Sequence, residues 1–289
     1  MMLRSRRSVL GRLAVLPLAG LVGACSKADV VNALVTRDGY DIVEDIAYGP
    51  LGRQRLDIYR PLNATVSTPV VVFFYGGGWD SGDRRDYLFV GQRLAAAGYV
   101  VVIPDYRLYP DVVFPGFIED CALAVAWVGN NIADHGGDPD RMALTGHSAG
   151  AYNTMMLALD RHYLDAVAWP TERVAAVVGL AGPYDFRPFD SALLRGVFGS
   201  YPDAGASQPI SFARSDAPPL LLATGLDDTT VLPANSERLA ARVAQTGGRV
   251  ELVTYQGVGH VGIVASLADP LPETAPVAGD MTDFLERYL

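Results

Sequence analysis

The chain has 289 residues, of which 50% are hydrophobic and 19% are charged. This composition predicts a globular protein with one large domain or at most two small ones, and it excludes a disordered chain. The formal net charge of -9 argues against nucleic-acid binding, because a protein that binds phosphate backbones needs a basic face.

Residues 1–24 are predicted to be a signal peptide. A basic segment precedes an apolar segment, residues 9–23, that is too short to span a membrane comfortably. Ser-Arg-Arg-Ser-Val-Leu at residues 5–10 resembles the twin-arginine export signal. Val-Gly-Ala-Cys at residues 22–25 resembles a bacterial lipoprotein box, which makes Cys25 the predicted site of lipid attachment. An ordinary secretory signal with a chance cysteine is the alternative.

These features predict an exported protein of the cell envelope that meets the membrane only through its N-terminal lipid. In a Gram-negative cell the expected location is the periplasm or the outer membrane, since Ser26 and not an aspartate follows the cysteine. Residues 25–41 are predicted to be a tether. Cys121 is the second of the two cysteines and lies in an amphipathic stretch, so we expect it to be a buried free thiol.

Strand and helix patterns alternate from residue 42 onward. Apolar and β-branched runs predict eight strands, at residues 42–48, 53–60, 70–75, 99–103, 141–145, 174–180, 219–224 and 250–255. Helices are predicted at residues 86–97, 115–131, 152–159, 234–245 and 277–289. A Gly-Pro-Leu-Gly turn at residues 49–52 predicts that the first two strands form a hairpin. The alternation predicts an α/β fold with a mainly parallel sheet and helices on both faces.

One segment interrupts this alternation. Residues 182–217 are rich in glycine, proline and aromatic residues and lie between two predicted strands. Connections of this length inside a compact domain are usually lids or binding loops, so the segment is predicted to be lid-like. A surface insertion without a role is the alternative.

The most informative motif is Gly-His-Ser-Ala-Gly at residues 146–150, which has the form G-x-S-x-G. It lies between a predicted strand and a predicted helix. At such a junction the serine, Ser148, sits on a sharp turn with its hydroxyl exposed, and the glycines allow close backbone approach. A serine is a weak nucleophile unless a base takes its proton, so the motif indicates catalysis only if the chain supplies a base, an acid and an oxyanion site.

His260 is the predicted base among the four histidines. It follows the last predicted strand in a glycine-rich loop, and ligands bind at the carboxyl ends of strands in open α/β sheets. His147 lies inside the serine motif and is predicted to be structural, with its side chain directed away from the reaction direction of the serine. His135 and His162 lie in polar, turn-like segments and are predicted to face solvent.

The acid that orients the imidazole is predicted on the loop after residues 219–224. Asp227 and Asp228 are both candidates, and Asp228 is preferred because it fits the spacing G-x-x-D-x-x-V. The chain order Ser148, Asp228, His260 is the order found in α/β-hydrolases.

Backbone N–H groups that stabilise an oxyanion are predicted in the glycine segment at residues 76–78. It follows a buried strand, and three consecutive glycines leave their amides accessible to a substrate carbonyl. Gly77 and Gly78, together with the amide of Ala149, are the predicted oxyanion-hole donors. A merely flexible turn is the alternative.

The sequence resembles α/β-hydrolases of the esterase and lipase group related to hormone-sensitive lipase, and most of all the bacterial feruloyl-esterase and kynurenine-formamidase branch. The resemblance covers about residues 42–262. Besides the serine motif and the loops of Asp228 and His260, the matching segments are Leu-Asp-Ile-Tyr-Arg-Pro at 56–61, Gly-Gly-Gly-Trp at 76–79, Asp-Tyr-Arg-Leu-Tyr-Pro at 105–110, Phe-Pro at 114–115 and Gly-Asp-Pro at 137–139. It implies an α/β-hydrolase fold of about eight strands, with residues 42–289 as the catalytic domain and 182–217 as a small lid-like insertion.

In that family a histidine leads the glycine segment, and here Tyr75 replaces it. The replacement is expected to change the side-chain hydrogen bonds of the segment, with the Tyr75 hydroxyl as one substitute, and to affect substrate preference. Asp105 and Arg107 are predicted to hold loops beneath the glycines. An apolar wall of the substrate pocket is predicted from four aromatic residues, with core packing as the alternative: Tyr75, Trp79, Tyr184 and Phe186.

Taken together, the residues predict a serine hydrolase that needs no cofactor or metal and cleaves carboxylic esters with short acyl chains through an acyl-enzyme. An arylformamidase or other amide hydrolase with the same triad is the first alternative. A catalytically inactive binding protein is the second. The expected partner is a small ester molecule, and the sequence leaves the natural substrate and the oligomeric state open.

Overall fold

A computed structural model describes residues 32, 35–269 and 275–289. The predicted signal peptide, Cys25 and the first part of the predicted tether lie outside the described residues. Within the described ranges, no helix is long and apolar enough to cross a membrane.

An eight-stranded sheet lies at the centre of the described chain. The strands are β1 (Tyr40–Ala47), β2 (Arg55–Pro61), β3 (Thr68–Phe74), β4 (Val100–Pro104), β5 (Gly137–His147), β6 (Val174–Leu180), β7 (Leu220–Gly225) and β8 (Val250–Tyr255). Their spatial order is β1-β2-β4-β3-β5-β6-β7-β8. β2 pairs antiparallel with β1 and β4, and the pairs from β4 to β8 are parallel. The predicted α/β fold and the predicted hairpin are confirmed.

Helices pack against this sheet. Those within the described ranges are α1 (Leu88–Ala96), α2 (Gly116–Asn131), α3 (Ala149–Leu159), α4 (His162–Ala166), α5 (Ala192–Phe198), α6 (Ala234–Thr246), α7 (His260–Ala265) and α8 (Val277–Glu286). α3 packs on β5 and β6, and α1 packs on β2 and β4. The central strands β4 and β7 are buried along their whole length, whereas the edge strand β1 is largely exposed. This difference explains why the central strands have uninterrupted apolar sequences.

The 182–217 segment is an ordered insertion that packs on the domain through aromatic side chains. It contains α5 and a 3-10 turn, Pro209–Phe212. Phe198, at the end of α5, is fully buried, and its ring lies 4.8 Å from that of Trp79. The rings of Phe186 and Phe189 also pack on Phe198, edge-on at 5.2 Å and stacked at 5.5 Å between centroids. The insertion is thus held by buried apolar contacts, which stabilise its position on the domain.

A buried ionic cluster centred on Arg84 supports the neighbouring glycine segment. Its guanidinium donates to Asp57 at 2.8 Å, to Asp45 at 2.9 Å and also to Asp105. Asp57 and Asp105 are only 2% and 3% exposed. The hydroxyl of Tyr75 donates to Asp105 at 2.7 Å. Because two buried carboxylates share one guanidinium, its removal leaves negative charge without compensation.

We expect Arg84→Leu to lower the free energy of unfolding by about 3–5 kcal/mol, because it breaks a buried ionic cluster. Urea denaturation followed by circular dichroism measures this change. Arg85→Leu is the matched control, since that side chain is 72% exposed and pairs with Asp83 at the surface. The control should change the free energy by less than about 1 kcal/mol. Equal losses in the two variants would contradict the importance of the cluster.

Candidate active site

Ser148 lies on a tight turn between β5 and α3. Its φ of 56° is in the left-handed region, which few residues other than glycine adopt. A Cβ on Gly146 would lie 2.4 Å from the carbonyl oxygen of Gly150. A Cβ on Gly150 would lie 2.0 Å from the carbonyl oxygen of Phe74. Only glycine fits at both positions, and the turn presents the serine at the carboxyl edge of the sheet.

Ser148, His260 and Asp228 form a continuous chain of hydrogen bonds. The Ser148 hydroxyl donates to Nε2 of His260 at 2.8 Å, and Nδ1–H of His260 donates to Oδ2 of Asp228 at 2.8 Å. The Asp228 side chain is fully buried, and its Oδ1 accepts from the N–H groups of Thr230 and Val231, both at 2.9 Å. These bonds fix the carboxylate and leave Nε2 of the imidazole free to accept the serine proton.

Asp227 occupies a different position from its neighbour. It is exposed, and its backbone N–H donates to the carbonyl of Val258 at 3.0 Å. The structure therefore brings Asp228, and not Asp227, to the imidazole of His260.

A cavity of about 700 Å³ opens at Ser148 and His260. Gly77, Gly78 and Ala149 line the same cavity. Ala149 is the first residue of α3, and the first N–H groups of a helix have no partner inside the helix. Gly77 and Gly78 adopt φ values of 130° and 62°, which are accessible to glycine. These three residues therefore share the cavity of Ser148, the place where an oxyanion site would need backbone donors.

Two of the predicted aromatic residues, Trp79 and Phe186, line the cavity. Their rings are nearly parallel, with centroids 6.0 Å apart. The Trp79 ring N–H donates to Oδ1 of Asn153 at 3.1 Å, which fixes the indole. Phe186 is half-buried, so the insertion contributes its ring directly to the wall.

Tyr75, the third predicted wall residue, lies outside the cavity lining, which corrects its predicted role. Its side chain is fully buried between Tyr87 and Tyr106, with ring centroids 5.6 and 4.9 Å away. Its hydroxyl donates to Asp105 and accepts from Arg53, both at 2.7 Å. Burial raises the pKa of this phenol well above its usual value. Tyr75 and Asp105 thus hold the glycine segment from beneath, while the Asp105 carbonyl also accepts a buried hydrogen bond.

Tyr184 is also absent from the cavity lining, so its predicted place in the wall is wrong. Its ring is fully buried against two glycines. A Cβ on Gly179 would lie 2.1 Å from the Tyr184 hydroxyl oxygen, and one on Gly182 would lie 2.5 Å from it. Because these glycines have no side chain, the Tyr184 ring can pack against them, and it lies outside the cavity.

His147 differs from its predicted orientation. It lines the cavity, is 5% exposed, and its ring centroid lies 4.9 Å from that of His260. Its Nε2 lies 3.0 Å from the backbone carbonyl oxygen of His260. Burial, and to a lesser extent the charge of His260, lower the pKa of His147 to about 3. The ring is therefore neutral near physiological pH.

The other histidines and the described cysteine lie elsewhere. His162 is exposed and bonded to Asp160, while His135 is half-buried and neither lines the cavity. Cys121 is a fully buried free thiol, as predicted, and burial raises its pKa well above the usual value. Arg107 binds Asp120 in a two-pronged contact at 2.8 and 2.9 Å. No group of three or more potential metal ligands occurs within residues 32, 35–269 and 275–289.

Asp185, Asn235 and Arg238 also line the cavity, and the sequence analysis did not predict them. Oδ1 of Asn235 accepts from the N–H groups of Tyr184 and Asp185, both at 3.0 Å. Nε of Arg238 pairs with the Asp185 carboxylate at 2.8 Å. These contacts attach the start of the insertion to α6. Asn235 and Arg238 are three residues apart and so lie on one face of the helix, which could have indicated a shared contact. The local sequence does not identify Tyr184 and Asp185 as the residues they contact.

The strand order, with Ser148, His260 and Asp228 brought together at the carboxyl edge of the sheet, is that of an α/β-hydrolase fold. The BD-FAE family matches residues 56–243, and the chain belongs to that family.

The curated proteins to which the chain is similar are longer than the chain itself. The chain is 31% identical to the probable isoprenylcysteine alpha-carbonyl methylesterase ICMEL1 of Oryza sativa subsp. japonica, over 80% of this chain and 59% of that protein. It is also 31% identical to Esterase LipQ of Mycobacterium tuberculosis, over 83% of this chain and 61% of that protein. The chain thus spans about three-fifths of the length of these relatives.

Solved structures with the same fold include Esterase B from Lactobacillus Rhamnosis. It superimposes with a TM-score of 0.79 at 21% identity, covering 90% of each chain. A truncated carbohydrate esterase from gut microbiota superimposes with a TM-score of 0.78 at 22% identity, covering 88% of this chain and 98% of that one. At these identities the comparisons support the fold.

Proposed function

We propose that this protein hydrolyses carboxylic esters through a Ser-His-Asp triad and a covalent acyl-enzyme. The observation that carries the proposal is the unbroken chain from Ser148 through His260 to Asp228, with both links at 2.8 Å, at the wall of a cavity of about 700 Å³. Similarity to proteins named as an esterase and a methylesterase supports an ester as the substrate.

In this mechanism the Ser148 oxygen attacks the ester carbonyl carbon while its proton passes to Nε2 of His260. The imidazolium, stabilised by Asp228, then donates this proton to the leaving alkoxide, which departs as the alcohol. Water next gives a proton to His260 and attacks the acyl-enzyme, so that the acid leaves and Ser148 regains its proton. The oxyanion of both tetrahedral intermediates accepts hydrogen bonds from the amides of Gly77, Gly78 and Ala149.

The two neighbouring aspartates allow a matched test of the triad. We expect Asp228→Asn to lower kcat for p-nitrophenyl acetate by about 10³- to 10⁴-fold, because the amide favours the wrong imidazole tautomer. Asp227→Asn should leave kcat within about twofold, since that side chain is exposed and does not contact His260. Ser148→Ala should lose both turnover and labelling by a fluorophosphonate probe. Full turnover in Ser148→Ala would overturn the proposed nucleophile, and failure of the wild-type protein to label would favour an inactive binding protein.

The wall of the cavity supports a preference for short acyl chains. Trp79 is backed by buried rings, with centroids of Phe198 and Tyr152 at 4.8 and 5.1 Å. Phe186 stacks on the indole of Trp79, with ring centroids 6.0 Å apart. Because these rings pack closely, enlarging the space behind this part of the wall would require a side chain to be removed.

Phe186→Ala is expected to raise the ratio of kcat/KM for p-nitrophenyl octanoate to that for the acetate by on the order of tenfold, because it enlarges the cavity. Phe189→Ala is the matched control. Phe189 packs against Phe186 at 5.8 Å but does not line the cavity, so the ratio should stay within about twofold. Equal ratios in both variants would argue against the short-acyl assignment. Faster hydrolysis of N-formylkynurenine than of any ester would favour the arylformamidase alternative.

We also propose that the protein is exported and lipid-anchored at the cell envelope. The twin-arginine-like and lipoprotein-box-like segments within residues 1–25 support this proposal. In a bacterial host grown with an alkyne fatty acid, Cys25→Ala should lose lipid labelling and move from the membrane fraction to the soluble fraction. Cys121→Ala is the control and should remain labelled, since that thiol is fully buried. An unlabelled wild-type protein would contradict the anchor.

A further inference from the structure

We propose that His147 is a positioning residue for the general base. Its Nε2–H holds the backbone carbonyl of His260 and so keeps the imidazole in line with Ser148. The proposal rests on the hydrolytic function proposed above. It gives a chemical role to a histidine that the triad itself does not use.

The nucleophile and the base come from distant parts of the sheet. Ser148 follows β5 and His260 follows β8, and the strands β6 and β7 lie between them. The base is the first residue of α7, which begins near the surface, and Val261 next to it is 65% exposed. The segment that leads into α7 is tied by the bond from Asp227 N–H to the Val258 carbonyl at 3.0 Å. Beside the bond between the His260 imidazole and Ser148, the His147 bond ties the backbone of this segment directly to the end of β5.

The chemistry of the contact fixes the tautomer of His147. A carbonyl oxygen can only accept, so Nε2 of His147 carries the proton and donates to His260 at 3.0 Å. Nδ1 is then an acceptor, and it is buried without a hydrogen-bond partner within the described residues. It faces Gly76, where an added Cβ would lie 3.1 Å away. A buried acceptor without a partner costs about 1–3 kcal/mol. An apolar ring of similar size would avoid that cost, so packing alone does not account for a histidine at this position.

A neutral donor is also what the reaction requires here. His260 becomes a cation while the serine proton resides on it, and the two imidazole rings are 4.9 Å apart. A lysine or arginine at position 147 would oppose that cation by like-charge repulsion. The buried His147 donates a hydrogen bond without adding charge, and it does not compete for the proton in transit because its pKa is about 3.

The test compares three substitutions at one position. His147→Phe keeps a ring and removes the donor, whereas His147→Gln carries an amide N–H that reaches the position of Nε2. We expect His147→Phe to lower kcat for p-nitrophenyl acetate by about 10- to 100-fold with KM changed by less than about threefold, since small misplacements of reacting groups cost this much. His147→Gln should keep kcat within about fivefold. His147→Asn, whose amide extends only to the position of Nδ1, should resemble His147→Phe.

Thermal unfolding separates positioning from structural support. His147→Phe removes the unpartnered Nδ1 but also deprives the His260 carbonyl of its donor. These two effects offset each other, so its Tm should stay close to that of the wild type while kcat falls. Wild-type kcat in His147→Phe would overturn the proposal, and so would a loss in His147→Gln as large as that in His147→Phe. A fall in kcat that merely follows a fall in Tm would also overturn it. If His147→Phe does not fold, the comparison of His147→Asn with His147→Gln decides.

Ser148→Ala distinguishes failure of this proposal from failure of the proposed function. If Ser148→Ala retains turnover, the triad mechanism itself fails. If turnover depends on Ser148 while His147→Phe behaves as wild type, the triad stands and only the positioning role is overturned.

Discussion

The close backbone contact between the serine turn and the end of β3 determines the geometry of the whole site. Gly150 approaches the carbonyl of Phe74 so closely that any side chain there would collide with it. β3 and β5 are neighbours in the sheet, and β3 leads directly into the glycine segment at residues 76–78. The proposed nucleophile and the proposed oxyanion donors therefore share one constraint, and neither can shift without the other. Rigidity of this kind is what preorganised electrostatic stabilisation requires.

Further polar contacts fix the groups around the serine turn. Beneath the glycine segment, the Tyr75 hydroxyl and the Arg84 guanidinium converge on Asp105. After β7, the backbone amides of residues 230 and 231 fix the Asp228 carboxylate. The Asp105 and Asp228 carboxylates are buried and hydrogen-bonded, so removal of a donor leaves an unpaired acceptor at a cost of about 1–3 kcal/mol or more. The site is thus held by several polar contacts that act independently of substrate.

The sequence predicted what depends on local pattern and chain order. The eight strands, the hairpin and the glycine turn follow from periodicity and turn residues, and the spacing around Asp228 selected it over Asp227. Side-chain direction was harder, because tertiary packing decides it. Tyr75 and Tyr184 were expected in the cavity wall. Instead, Tyr75 is hydrogen-bonded within a buried polar cluster, and Tyr184 packs against two glycines. Asn235 bonds to residues about 50 positions away, a contact that no local window contains.

Within one domain, the insertion at residues 182–217 forms part of the cavity wall, while other segments carry the proposed triad. The proposed reacting groups follow the ends of strands in the core of the domain. One contiguous segment, in contrast, supplies Pro183, Phe186, Pro188 and Leu194 to the cavity. Replacement of residues within that segment alters the shape of the cavity and leaves the hydrogen bonds of the triad untouched. Changes within this segment can therefore alter the substrate range during evolution while the reaction mechanism stays the same.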